Sequence, residues 1–182
     1  TLHRESLENW VGTFPYVVAQ GLPWYVRALF KQQLNSSLLK GVRSEMPEIA
    51  RAMSRGFKLH ANHYGEMMLN RSMIVERWER FFGEYDFLIC PLAFGPAFKR
   101  CKTGSKLSYD GKEMIYADYV FPYAAPFNMS GNPSVAVPLG LSPEGLPIGA
   151  QIVGKYWSEP ELINFAKKVA ALTDGFVRPS GF

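Results

Sequence analysis

The sequence predicts an α/β fold with helices packed on a small mixed β-sheet, and three observations carry that expectation. Residues 1–84 repeat apolar side chains at intervals of three and four, the spacing of one helical face. From residue 85 onward the apolar residues instead form short runs bounded by Gly and Pro, the pattern of strands. The chain has 182 residues, of which 47% are hydrophobic and 20% charged, enough for one packed core and too few for two. The expected organisation is a single domain over residues 1–182, mainly helical in 1–84 and mixed strand and helix in 85–182.

The first helix is expected from Ser6 to about Gln20, with Leu7, Trp10, Val11, Phe14, Val17 and Val18 on one face and Pro15 kinking or splitting it. Pro23 suits the first turn of a second helix through Trp24, Val26, Leu29, Phe30 and Leu34. A third stretch runs from about Pro47 to Phe82, either as one bent helix or broken near Gly65. Phe87 to Cys90 is a continuous apolar run stopped by Pro91, the look of a strand buried on both faces. Asp110-Gly111 between two short alternating segments is a hairpin signal, because a two-residue turn of that kind needs positive φ at both positions. Val135–Val137 and Ile148–Val153 read as strands, antiparallel across the short Ser142–Gly145 connection. Ser158 and Glu161 have capping-box spacing before a last helix through Leu162, Phe165, Ala166, Val169 and Leu172.

Composition excludes several classes. A formal charge of +4 from 20 basic and 16 acidic residues is too mild for a dedicated nucleic-acid surface. The basic residues of the helical half, from Arg27 to Lys58, read as solvated helix faces. The uncharged stretch from Tyr119 to Pro143 is broken by Pro122, Pro126, Gly131, Pro133 and Pro138 and does not read as a membrane span. Cys90 and Cys101 are too few for a disulfide scaffold, and with no leader-like start the expected location is the cytoplasm. The glycosylation triplets at Asn35, Asn70 and Asn128 carry no weight without a secretory signal.

Candidate chemistry is sparse. His60, His63 and Glu66 fall at successive steps of three, which drift around a helix; the spacing favours packing or solvated surface, so no metal is expected. Ser36 and Ser37 precede Lys40, yet no glycine-rich turn surrounds them to supply oxyanion donors. Cys90 reads as a small core residue, and Cys101 sits among Lys99, Arg100 and Lys102 with no base identified beside it. No cofactor is expected.

Three segments bring a resemblance. The helix end Trp78–Phe82 followed by Asp86-Phe87-Leu88-Ile89-Cys90-Pro91 resembles the aromatic helix and D-x-L-x-x-P element of the amidase signature enzymes. Pro126 to Gly140 is similar to that family's P-x-N-x-x-G-x-P-x-x-x-x-P-x-G segment, and Gly145 to Gly154 to its G-L-P-x-G-x-Q-x-x-G hairpin. The resemblance implies the C-terminal part of the family's α/β/α fold, with amide hydrolysis carried out by two serines in a Gly/Ser-rich segment and a lysine well before it. These residues contain no such segment, so no catalytic residue carries over, and the chain is expected to be inactive alone. Residue 1 being Thr rather than Met fits a chain whose front is missing. A free-standing interaction module on the same scaffold is the rival expectation.

Within the resembling segments Asn128 is expected to hold a turn through its side-chain amide, Gly131 and Gly149 to permit close backbone approach, and Gln151 to need a polar partner if buried. Members that draw ammonia from glutamine carry an Asp where this chain has Phe121, which argues against a glutamine-dependent amidotransferase. Phe121, Phe127 and Met129 are the candidate apolar wall on the acyl side of a small-molecule amide. The expected partner is a catalytic N-terminal part or a second copy in a dimer, with no nucleic acid and no membrane.

Overall fold

The computed structural model describes residues 1–23, 61–102, 105–173, 175, 176 and 178. The second expected helix from Trp24, the start of the third, Ser36, Ser37, Lys40 and His60 lie outside these. Among the described residues the order is α1 (Leu2–Gln20), α2 (Ala61–Glu84), β1 (Phe87–Pro91), β2 (Leu107–Tyr109), β3 (Lys112–Met114), α3 (Tyr116–Ser130), β4 (Ser134–Leu141), β5 (Pro147–Gly154) and α4 (Glu159–Ala171). The α/β class is as the sequence predicts.

The main sheet has the order β1-β5-β4, with β5 in the centre. Both pairings are antiparallel, with Ile89 opposite Ile152 and Val137 opposite Ala150. That corrects the expected mixed sheet for the described residues: the continuous apolar run of β1 suggested a strand buried on both faces, but β1 lies at an edge, antiparallel to β5, and Ile89 is 51% exposed.

Strand alternation sends side chains to two faces. On one, Leu88, Cys90 and Val153 meet Ile74, Trp78 and Phe82 of α2 together with Phe127 of α3. On the other, Val135, Val137, Ala150 and Ile152 meet Leu162 and Ala166 of α4, and Phe87 stacks on Phe165 at 4.4 Å. The result is a helix–sheet–helix sandwich. The β2–β3 hairpin turns at Asp110 (φ 50°) and Gly111 (φ 72°), as its sequence predicts, and buries Leu107 and Met114 against Tyr119.

Helix α1 begins at Leu2 and is not split at Pro15, and α2 runs continuously through Gly65, one of the two expected alternatives. Two local expectations are corrected. Helix α3 forms across Pro122 and Pro126, in a stretch that reads as broken. Each internal proline removes one N–H donor and frees a carbonyl one turn earlier. The carbonyl of Pro122, freed by Pro126, is taken by the His3 ring from α1. Finally, Ser158 precedes α4 but makes no capping bond to it; its hydroxyl donates to the Lys155 carbonyl at 2.8 Å.

Candidate functional site

The resembling segments meet where α3 ends and β4 and β5 begin. Gly131 closes α3 in the left-handed region at φ 89°, its N–H donating to the Phe127 carbonyl at 2.7 Å. The last carbonyls of α3 then gather donors from two other elements. Arg71 of α2 donates to the Met129 carbonyl at 2.9 Å and to that of Ser130 at 3.4 Å, and the Tyr156 hydroxyl donates to the Ser130 carbonyl. A cation at a helix C-terminus also suits the helix dipole. Asn132 is buried, and its Nδ2 donates to the Gly154 carbonyl at 3.0 Å, while Gly154 N–H donates to the Pro133 carbonyl at 3.0 Å.

Gln151, 4% exposed, ties three elements together. Its Nε2 lies 2.7 Å from the Tyr123 carbonyl of α3, 3.3 Å from the Pro91 carbonyl and 3.2 Å from Cys90 Sγ of β1. The polar partner that burial demands is present. Gly149 faces Val137 so closely that a Cβ there would stand 3.0 Å from the Val137 carbonyl oxygen. At Gly131 a Cβ would stand 3.0 Å from the Tyr156 hydroxyl.

Asn128 is placed differently from the expectation. It lies in the last turn of α3 with its side chain exposed, and the turn is made by the Gly131 backbone and by Asn132, four positions on. Phe127 is buried, with its ring 5.1 Å from that of Trp78, and Met129 is buried at 4% exposure. Phe121 is half-buried, 5.2 Å from the Trp10 ring and 6.2 Å from that of Tyr116. The three candidates therefore share α3 but not one surface.

The sequence reading missed Asn132, Arg71 and Tyr156. Asn132 stands inside the resembling segment and is the only clue that was legible. Arg71 and Tyr156 act from distant positions on carbonyls that no local pattern marks.

Of the described serines that hydrogen-bond, Ser142 shares a side-chain hydrogen bond with the exposed Glu144 carboxyl in the β4–β5 turn, which holds that carboxyl below its usual range. The others, Ser6, Ser72, Ser130 and Ser158, donate their hydroxyl protons to the carbonyls of Leu2, Met68, Phe127 and Lys155, not to a base. Burial pushes the Cys90 thiol above its ordinary range, against thiolate formation, while Cys101 is exposed. His63 and Glu66 are exposed on α2, and no group of three His, Cys, Asp or Glu among the described residues could hold a metal. An open groove of about 400 Å³ lies between Leu2 and Arg77, Arg80, Phe81 and Glu84, away from the resembling segments. In it Arg77 is engaged by Glu5, and this hydrogen bond holds the Glu5 carboxyl below its usual range.

The amidase family model matches residues 19–163. The chain belongs to the amidase family. It is similar to a glutamyl-tRNA(Gln) amidotransferase subunit from Archaeoglobus fulgidus, 34% identical over 123 residues, which are 65% of this chain and 25% of that protein. The corresponding protein of Thiobacillus denitrificans is 35% identical over 116 residues, 64% of this chain and 22% of that protein. This amidase-family chain thus spans about a quarter of the length of the curated relatives it matches. A bacterial aryl acylamidase of the amidase signature family shares the fold with a TM-score of 0.60 over 93% of this chain and 34% of its own, at 19% identity. Among the described residues no helix is long and apolar enough to cross a membrane.

Proposed function

We propose that these residues are the C-terminal part of a hydrolase that cleaves carboxylic amide C–N bonds, and that its nucleophile and bases lie in residues other than these. The observation that carries this reading is the match to only a quarter of the length of family relatives. The serine hydroxyls committed to backbone carbonyls support it. The part played by this chain is then structural: it adds three strands and both covering helix layers, and it offers an apolar wall to a small-molecule amide. Phe121 is the half-buried member of the candidate trio and so has surface to offer, whereas Phe127 and Met129 are buried. Phe121 standing where glutamine-dependent relatives of the resembling family carry Asp favours a hydrolase over a glutamine-dependent amidotransferase. No cofactor is required, and two free thiols suit the cytoplasm.

A fluorophosphonate probe that phosphonylates activated serines tests this reading. The 182-residue chain remains unlabelled, and the polypeptide encoded by the whole reading frame is labelled at a serine in a Gly/Ser-rich segment. Labelling of any serine within residues 1–182 overturns it.

A further inference from the structure

Five aromatic rings among the described residues form one continuous row across three segments. Phe14 and Trp10 of α1 stack face to face at 4.8 Å and 10°. Trp10 meets Phe121 of α3 at 5.2 Å, tilted by 56°. Phe121 meets Tyr116 edge-on at 6.2 Å, and Tyr116 meets Phe98, in the loop after β1, edge-on at 6.1 Å. These residues carry no charge; their polar groups are the Trp10 indole N–H and the Tyr116 phenol.

The row is fixed from beneath and open above. Trp10 and Phe121 are half-buried and pack on the buried cluster of Leu7, Val11 and Ala125. Phe98 is held by Tyr119, whose ring stands edge-on to it at 5.5 Å and whose hydroxyl donates to the Pro96 carbonyl at 2.7 Å. Gly95 permits that approach, since a Cβ there would stand 2.5 Å from the same hydroxyl. On this footing Phe14, Tyr116 and Phe98 are 48%, 54% and 41% exposed. Apolar side chains exposed singly are ordinary, whereas rings in mutual contact along one surface mark a place of binding.

Phe121, the ring with surface to offer an amide, stands in the middle of the row. What lies against it therefore also lies along Trp10 and Tyr116. Their planes cross that of Phe121 at 56° and 86°, so a guest meets ring faces and ring edges together. A flat aromatic guest gains from both, because the positive edge of one ring seeks the negative face of another, while an aliphatic chain gains apolar burial alone. Anchored rings with two side-chain torsions also lose little freedom when a ligand settles on them.

We propose that the row selects the acyl group of the amide, taking amides of aromatic acids in preference to those of short aliphatic acids, with Trp10 and Tyr116 determining specificity beside Phe121. This deepens the reading of the chain as part of a longer amide hydrolase and rests on it.

Ammonia release from phenylacetamide and from acetamide by the product of the whole reading frame tests it. The expected ratio of kcat/KM values favours phenylacetamide about 100-fold, and Trp10→Leu lowers that ratio about tenfold through a higher KM for phenylacetamide. Trp10→Phe, which keeps a ring, restores most of the ratio. A variant that only loosened the fold would lower both substrates together and leave the ratio as it was. Saturation-transfer NMR reads the row without turnover: the ring protons of phenylacetamide take up saturation from the 182-residue chain and not from its Trp10→Leu variant. Three results overturn the inference: a ratio near one or in favour of acetamide, a ratio unchanged by Trp10→Leu, or no saturation transfer to phenylacetamide. The second assigns the row to packing against residues outside 1–182. An active longer product with an unchanged ratio refutes only the selector, and one that hydrolyses no amide while this chain binds phenylacetamide through Trp10 refutes only the hydrolase.

Discussion

Replacing Gln151 with methionine preserves the length of the side chain and removes its donors. Nε2 carries two hydrogens, and the carbonyls of Tyr123 at 2.7 Å and Pro91 at 3.3 Å are its oxygen acceptors. The variant leaves both without this donor beside a residue only 4% exposed. A buried acceptor stripped of its partner costs about 1–3 kcal/mol, and the more buried apolar surface of methionine returns part of that, so a net loss of about 2–4 kcal/mol is expected. In a chain of this size 1 kcal/mol moves Tm by about 2–4 °C, which puts the variant about 5–15 °C lower by thermal unfolding followed by circular dichroism. Gln151→Glu adds a sign test. A carboxyl facing two carbonyls is held neutral, its pKa raised in the folded chain, so its cost is least near pH 4 and grows as pH rises. Methionine within about 0.5 kcal/mol of the parent, or a pH-independent glutamate variant, refutes the claim that Gln151 ties α3 and β1 to β5.

Gly131→Ala forces a side chain into the left-handed region at φ 89° against the Tyr156 hydroxyl, and a loss of about 1–2 kcal/mol in urea unfolding is expected. Burial holds the His3 imidazole below its ordinary pKa of 6.5, so the unfolded chain binds the extra proton first. Stability therefore falls as pH drops through 6.5 toward the lower folded value, and His3→Gln flattens that part of the pH profile of the urea midpoint. A thiol-reactive disulfide reagent at pH 8 titrates exposed Cys101 fast and half-buried Cys90 slowly; equal rates would contradict the placement of Cys90 on the α2 face.

What was legible in the sequence was what is decided locally. Asp110-Gly111 needs no help from the rest of the chain to make its turn, and the Ser142–Gly145 connection is closed by its own backbone, with Gly145 N–H donating to the Ser142 carbonyl at 2.9 Å. Helix α3 was not legible because the group that meets the carbonyl freed by Pro126 comes from elsewhere, the His3 ring of α1. The missing cap on α4 has the same origin. Ser158 has the right spacing, but its hydroxyl lies against the tight Lys155 turn, where a Cβ at Gly154 would stand 2.5 Å from it. In the candidate site Gln151 of the resembling segment is buried and Gly149 is closely packed against Val137. The resemblance placed the turn-holding amide at Asn128 when Asn132 makes that bond, since both lie in one motif and only burial separates them.

The central claim is that the chemistry of this amidase-family chain resides outside these residues. Its most direct test is the rate of arylamine release from an N-acyl arylamide by the pure 182-residue chain. The account predicts no rate above the buffer blank at any enzyme concentration. A rate that scales with enzyme concentration and is lost on substituting one serine of this chain by alanine would contradict it.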